Sequence, residues 1–568
     1  MAGFTFFKGD ASKYKFASEE KEVGHFVGSS YLCYNFMIEK YEDDKIFYED
    51  NNYLVVLDGV ILNKCKIISS NGGQTWVQTI LSLYQRSDTF FDELRGSFSG
   101  VILEKNTGNT IIFSDHIGSK FLYYGQLEDA IFVTSRIADA YSFLKLNNIN
   151  YELNENGAYM LLSYGYMLEN NTLCKGIKKI IPGCYLTIYG TSISETRYCL
   201  LDNTPDYSLT EDEAIELIDM EFRKAIALEF EKDKEYGYKH LVALSAGLDS
   251  RMTCWVAHEM GYTDQLNITF SQSDYWDETI PKKIASDLNH EWLFKALDNG
   301  LWLYDIDDVT KVTGGNVLYY GLAHGNSLYK YLNFKDLGMI HSGQLGDVVV
   351  GTFFSSKDST LKFKLGDGAY SIKYLSNLKG YRLEEYENQE IAKFYHRGFN
   401  GANNGQLLEM EYTETCSPFM NWDFMQAIIK IPVELRYGHN IYKKWILKKY
   451  PDAAKYVWEK IGCRIDRKWG VLEHNGHLYK YSDVIKIIFK KYFHIKIGAN
   501  NKNMNPISYY LETNKNLISV LNKKLQQGIN EISSSLICDI LNSVSKSTDS
   551  IEKIQAVSLV EAYLSFFK

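Results

Sequence analysis

The sequence predicts an α/β protein in two parts: an antiparallel β-sandwich at the amino-terminal end, then a parallel sheet with flanking helices that runs into a helical tail. Three observations lead there. The chain has 568 residues, too many for one ordinary domain. Its first 200 residues carry short β-rich runs separated by turn residues. From about residue 240 strand-like and helix-like runs alternate, the pattern of a parallel sheet.

In chain order, the runs at 53–57, 97–103, Thr110–Ser114 and Cys184–Tyr189 predict strands, the first closed by Asp58-Gly59. Few helices are expected among them. The pattern changes through Asp202-Asn203-Thr204-Pro205-Asp206. A helix over 211–232 comes next, with Ala214, Ile215, Leu217, Ile218, Phe222 and Ile226 on one face and Thr210 as its cap. The domains therefore divide as 1–205 and 206–568. Residues 240–244, 265–270, 291–294 and 338–341 predict strands, and 250–260 and 277–288 predict helices. Ligands of such sheets gather at the carboxyl ends of the strands. From about residue 420 the chain is mostly helical, and its last hundred residues carry no legible chemistry.

Composition narrows the function classes. Hydrophobic residues make up 45% and charged residues 23%, enough for sizeable cores. Tyr is abundant (43) and Pro scarce (7), which argues against a long Pro-rich linker. A net charge of −10 argues against broad contact with nucleic acid or anionic membrane, although lysines between 486 and 496 leave a local basic patch open. Nine scattered cysteines without a Cys-x-x-Cys pair fit reduced thiols rather than a zinc or disulfide framework. No basic-then-apolar leader and no apolar run near ~18 residues is present. The expectation is a soluble cytoplasmic protein, with a homodimer left open.

Ser245-Ala246-Gly247-Leu248-Asp249-Ser250 lies between a predicted strand and a predicted helix. Gly247 admits phosphate close to the backbone. Ser245, Ser250 and the free N–H groups of the helix start can donate to phosphate oxygens. Asp249 would repel phosphate directly, so its sensible role is to hold Mg²⁺. The Walker spacing is absent. Downstream, Ser342-Gly343-Gln344-Leu345-Gly346-Asp347 is a second strand end followed by a Gly-rich loop and a carboxylate, which lets Asp347 share the metal with Asp249. Asp277 and Glu278 read as an acidic pair aligned with a helix start.

The first loop resembles the PP-loop, Ser-Gly-Gly-x-Asp-Ser, of the ATP pyrophosphatases. The second resembles the Ser-Gly-x-Gly-x-Asp segment of asparagine synthetases and β-lactam synthetases, with the second glycine displaced by one position. Tyr442-Lys443-Lys444-Trp445 and Trp458-Glu459-Lys460-Ile461-Gly462 resemble that family's helix lysine and later Lys-x-Gly turn. The resemblance covers most of residues 1–470 and implies ATP and Mg²⁺ as cofactors. It implies ATP contacts at Leu244, Ser245, Gly247, Asp249, Ser250, Phe270, Ser342 and Gly343, with Asp249 and Asp347 on the metal. It further implies that Lys444 holds the leaving pyrophosphate and that Lys460 stabilises growing negative charge.

The amino-terminal part resembles a class II glutamine amidotransferase domain through Leu94-Arg95-Gly96-Ser97-Phe98-Ser99-Gly100 and Ser114-Asp115-His116-Ile117-Gly118-Ser119-Lys120-Phe121-Leu122-Tyr123-Tyr124. That chemistry needs a cysteine directly after the initiator Met, where its own amine serves as base. Ala2 stands there instead. The family's Asn-Gly oxyanion pair appears as Asp58-Gly59, and a carboxylate facing an oxyanion is electrostatically wrong. The His-Arg-Gly-Pro-Asp segment is also missing, so natural loss of glutamine hydrolysis is expected, as in β-lactam synthetases and lasso-peptide cyclases. At the third position of the Ser-Gly-x motif, where relatives carry Glu or Tyr, stands Gln344; it can orient a substrate but cannot take a proton.

An ATP-dependent amide-forming ligase is therefore expected, one that adenylates a carboxylate, releases pyrophosphate and joins the acyl group to an amine. The substrates are a small-molecule or peptide carboxylate and an amine; residues 358–403 name neither. A lasso-type peptide macrocyclase, an ammonia-dependent asparagine synthetase-like enzyme and a non-catalytic pseudoenzyme stand as alternatives.

Overall fold

The computed structural model describes every residue except 1–2, 19–20, 379, 468–470, 475–476, 482–483, 486–500 and 548. Ala2 and the whole of the lysine-rich stretch between 486 and 496 lie outside the described residues.

Two six-stranded antiparallel sheets face each other at the amino-terminal end. One runs Ile177–Lys179, Tyr123–Gln126, Ile131–Thr134, Phe4–Lys8, Tyr31–Asn35, Gly24–Val27. The other runs Ser192–Arg197, Cys184–Tyr189, Thr110–Ser114, Gly96–Glu104, Tyr53–Ile61, Ile46–Glu49. Alternation along the strands builds the shared core: Phe4, Phe6, Ile131 and Val133 from the first sheet meet Leu54, Val56, Val101, Ile112 and Leu186 from the second. The helical content exceeds the sequence expectation. Lys64–Ser70 and Trp76–Arg86 cover the second sheet, and Ile137–Leu146 and Glu155–Tyr164 belong to a core shared with the tail. Lys64–Ser70 is only seven residues long and Glu155–Tyr164 is buried on nearly every face, so neither shows a clear helical stripe, whereas Trp76–Arg86, with Trp76, Ile80 and Leu83 on one buried face, does.

The helix Glu211–Glu235 opens with the expected cap. Thr210 Oγ1 accepts from Glu213 N–H, and the Glu213 carboxylate accepts from Thr210 N–H in return. Beyond it lies a five-stranded, all-parallel sheet in the order Glu291–Ala296, Gln265–Ser271, Lys239–Ala243, Leu337–His341, Thr415–Cys416. The sequence expectations for its first four strands agree with the structure within three residues at each end. Chain order reverses between Lys239–Ala243 and Leu337–His341, which makes the carboxyl ends of these two strands the topological switch point.

The helices Lys515–Glu531, Ser535–Ser545 and Ser550–Phe566 close the structure. Leu517, Leu521 and Leu525, spaced four apart, bury one face of the first of them. Their core is continuous with Tyr141, Phe143, Tyr159 and Leu161 of the amino-terminal helices and with Ile306 and Val309 of the parallel-sheet half. Tyr141 stacks on Phe566 at 4.4 Å, and the Tyr151 hydroxyl donates to the Phe566 carbonyl at 2.6 Å. Among the described residues, no helix is long and apolar enough to cross a membrane.

Candidate active site at the switch point

The two Gly-rich loops leave the adjacent strands Lys239–Ala243 and Leu337–His341 and meet in space. Gly343 and Gly346 explain how closely they approach. An ideal Cβ on Gly343 would stand 2.2 Å from the Ser250 nitrogen, and one on Gly346 would stand 2.7 Å from the Asp249 carboxyl carbon. Any side chain at either position would push the loops apart.

Ser245 and Ser250 close the first loop on itself. Ser250 Oγ accepts from Ser245 N–H at 2.9 Å, the two hydroxyls lie 2.8 Å apart, and Ser245 Oγ accepts from Gly247 N–H at 3.2 Å. The helix Leu248–Glu259 starts here with Gly247 as its cap residue, so its unpaired N–H groups face the loop and suit an anion. Asp277, in the first turn of the helix Trp276–Asp287, makes no cap there; its carboxylate instead accepts from Ala246 N–H at 2.8 Å. Burial pushes its pKa up to about 6. The buried Arg251 holds the outer side of the loop, donating to the carbonyls of Ala246 at 3.0 Å and Val457 at 2.7 Å. It thereby ties the loop to the segment carrying Lys460. Glu459 N–H also reaches the Ala246 carbonyl, at 3.4 Å.

Asp249 and Asp347 converge. Asp249 accepts from the Tyr442 hydroxyl at 2.8 Å and from the Asp347 N–H at 3.0 Å. Burial and the charge of Asp347 push Asp249 well above the usual carboxylate range, against the opposing hydrogen bond from Tyr442 and the pull of Lys460. Asp347 itself is open to water at the cleft yet crowded by protein; desolvation raises it, while Lys460 and Arg397 draw it down. Two hard oxygen donors in mutual repulsion fit a divalent cation such as Mg²⁺.

The other expected residues fall into two groups. Lys460 is exposed at the same cleft, with its Nζ 5.6 Å from the Trp458 ring. Ser342 joins the cluster through its carbonyl, which accepts from Thr253 Oγ1 at 3.2 Å. The Leu244 side chain is buried, and its carbonyl accepts from Thr269 Oγ1 at 2.7 Å. Phe270 presents a half-buried ring at a strand end, 5.0 Å from His324. Lys444 stands apart: on the helix Asn440–Lys449 it faces Glu211 at 2.5 Å, while Tyr442 two residues earlier turns to Asp249. Helical geometry puts positions two apart on nearly opposite faces. Gln344 is a strut. Its Oε1 accepts from Gln406 Nε2 at 3.0 Å, its Nε2 donates to the Ala402 carbonyl, and its own carbonyl accepts from Ser417 Oγ.

Asp58 is buried in a cluster of four charges. Lys120 Nζ lies 2.9 Å from Asp58 and 3.0 Å from Glu414, and Lys45 Nζ lies 3.2 Å from Glu414 and 3.8 Å from Asp58. Burial works to raise Asp58, but the two lysines outweigh it and hold it below the usual carboxylate range. Glu414 precedes the edge strand Thr415–Cys416, so the cluster joins the sandwich to the parallel sheet. A second buried cluster supports the strand before the second loop. His341 Nε2 and His240 Nδ1 lie 2.7 and 2.9 Å from the Asp233 carboxylate, and His341 Nδ1 lies 3.2 Å from Glu229. Hydrogen bonds onto two carboxylates, Asp233 and Glu229, account for these contacts.

Sequence reading missed Tyr442, Arg251, Arg397 and the lysine partners of Asp58. Tyr442 stands two residues before Lys444, the position that the family resemblance singles out. Arg251 directly follows the loop, where an arginine carries no distinguishing pattern.

Comparison with known proteins places the amino-terminal region first. The glutamine amidotransferase domain family matches residues 40–199. Asparagine synthetase [glutamine-hydrolyzing] 1 of Bacillus subtilis (strain 168) is 22% identical over 259 residues. That match takes in 44% of this chain and 40% of the relative, so the chain spans about two-fifths of that protein's length. Two solved structures share 12% and 11% identity over 52% of this chain. One is described as glutamine phosphoribosylpyrophosphate (PRPP) amidotransferase from B. subtilis complexed with ADP and GMP, with 59% of its chain covered and a TM-score of 0.23. The other is described as the allosteric regulatory enzyme of purine biosynthesis, with 74% covered and a TM-score of 0.24.

Proposed function

We propose that the chain is an asparagine synthetase-like, ATP-dependent C–N ligase that adenylates a substrate carboxylate without hydrolysing glutamine. One observation carries the reading: the Ser245–Ser250 and Ser342–Asp347 loops abut at the switch point, where the Asp347 N–H donates to the Asp249 carboxylate. The paired hydroxyls and the helix start at Gly247 would bind the triphosphate. Mg²⁺ held by Asp249 and Asp347 would neutralise phosphate charge. A carboxylate oxygen of the substrate attacks the α-phosphorus and pyrophosphate leaves. The amine then attacks the acyl carbon, AMP leaves with the bond electrons, and the amine proton passes to a base or to water. Lys460 stabilises the negative charge that develops in both steps.

The proposal includes a division at residue 205/206 into an inactive amidotransferase-like domain and a synthetase domain. Asp58 supports the inactivity: its carboxylate is taken up by Lys120 and stands where a neutral donor would be needed. The substrates proposed are a small-molecule or peptide carboxylate and an amine that does not come from glutamine.

The test is ATP–pyrophosphate exchange with a panel of carboxylates, run beside a glutaminase assay. Exchange with at least one carboxylate, lost in Asp249→Ala and Asp347→Ala, and no glutamate release are expected. ATP binding without exchange for any carboxylate would leave only a nucleotide-binding module.

A further inference from the structure

We propose that Arg397 and Tyr166 form a subsite for a second anionic group, a carboxylate or phosphate, on the substrate activated beside Asp347. The inference rests on the adenylation reading only for which end of the substrate reacts.

Arg397 lies in the π-helical turn Phe394–Phe399, between the buried His396 and Gly398. Such turns are rare inside helices and concentrate at functional sites. Gly398 seats this turn on the second Gly-rich loop: an ideal Cβ there would lie 3.4 Å from Leu345 Cδ1 and 3.8 Å from Phe353. The Arg397 side chain is exposed, with its guanidinium carbon 5.9 Å from the Phe353 ring and its Cδ 3.6 Å from where a Cβ on Gly368 would stand. Walls on two sides thus hold a cation that makes no hydrogen bond or ion pair among the described residues.

Tyr166 comes from the amino-terminal half. Its ring is buried, and Gly401 brings it against the same turn, since a Cβ on Gly401 would stand 2.5 Å from the Arg397 carbonyl and 3.0 Å from Tyr166 Cε1. The Tyr166 hydroxyl has no hydrogen-bond partner among the described residues. Burial raises this hydroxyl, and the charge of Arg397 draws it back, as it also draws down Asp347. Gly401 seats the Arg397 turn against Tyr166, and Gly398 seats it against Leu345, two residues before Asp347. A planar guanidinium and a hydroxyl, both lacking acceptors, match a carboxylate or phosphate. Asp347 on one side marks the metal and the nucleotide; the anion held by Arg397 is then a different group of the substrate. The region matched by the amidotransferase family (residues 40–199) would contribute to substrate recognition through Tyr166.

The experiment uses the full chain with Mg²⁺ and a non-hydrolysable ATP analogue. Calorimetry measures binding of succinate, glutarate, L-aspartate and 3-phosphoglycerate, each beside an analogue lacking one anionic group. At least one of these anions should bind the wild type. Arg397→Ala should weaken it about 30-fold or more, since truncating one partner of such a pair costs on the order of 2 kcal/mol or more. Arg397→Lys should restore part of the loss, Tyr166→Phe should weaken binding about threefold to tenfold, and nucleotide affinity should hold within about twofold. The proposal is overturned if none of the four binds below about 10 mM, if the analogues bind equally well, or if Arg397→Ala weakens the nucleotide as much as the anion. Arg397-dependent binding without pyrophosphate exchange would keep the subsite and remove the adenylation reading.

Discussion

Replacing Asp58 by Asn changes one buried charge and almost no volume, so its cost measures the four-charge cluster directly. In the native chain Lys45 and Lys120 balance Asp58 and Glu414; the substitution leaves one positive charge uncompensated. Breaking a buried pair by removing one partner costs about 3–5 kcal/mol. Lys120 keeps Glu414 at 3.0 Å and Lys45 keeps it at 3.2 Å, so the lower end, about 3 kcal/mol, applies. For a cooperative unit of ~200 residues that is a fall of roughly 6–12 °C in melting temperature. Calorimetry of the first unfolding transition reads it. A second substitution, Lys45→Met, restores neutrality and should recover about 1 kcal/mol or more of the loss as a coupling energy. The reasoning fails if Asp58→Asn stays within about 0.5 kcal/mol of wild type, or if Lys45→Met adds its own full cost to the double variant. Asn at this position should not restore glutamine hydrolysis in either background.

Four further outcomes are expected. Gly343→Ala must move backbone that would stand 2.2 Å from its Cβ; a misplacement of about 1 Å predicts a loss of pyrophosphate exchange on the order of 100-fold. Gly321→Ala, with open space around it, is its neutral control. Lys460→Ala should cost about 100-fold or more in amide formation. Lys444→Ala removes an exposed pair with Glu211 worth about 1 kcal/mol or less and should leave the rate within a few-fold of wild type; a large rate loss would return Lys444 to the site. His341 is raised to about 9, with burial opposed and outweighed by Asp233 and Glu229. Its stabilisation is thus full below the unfolded value near 6.5 and lost as pH rises through 9, about 3 kcal/mol in all. Urea titrations of His341→Gln between about pH 6 and 9.5 should show that dependence flattened.

The parallel sheet was legible because each strand is a short apolar run bounded by a helix start, and Thr210 with Glu213 announced the first helix outright. The Asp249 loop was legible because its residue types have a chemical reason to stand together. What stayed hidden depends on contacts between distant segments. Tyr442 and Asp249 are 193 residues apart and Asp58 and Glu414 belong to different halves; no local pattern records such pairings. Lys444 shows the converse: a residue drawn from a sequence resemblance turned toward Glu211, because its helix had already given the inward face to Tyr442.

The stacking of Phe566 on Tyr141 has a consequence for how the chain is made. The helices Ile137–Leu146 and Glu155–Tyr164 emerge from the ribosome early, yet part of their apolar cover is the helix Ser550–Phe566. Tyr151 and Phe566 are separated by 415 positions. At roughly 5–20 residues per second, the early helices wait about 20–80 s for that cover, with Tyr141 lacking its final partner. Closure of this layer waits until Ser550–Phe566 has been made, and contacts so distant in sequence make such a step slow. The nascent chain is then a natural client for a chaperone that holds apolar helices, and shortening the final helix should reduce soluble yield before it touches any chemistry at Asp249.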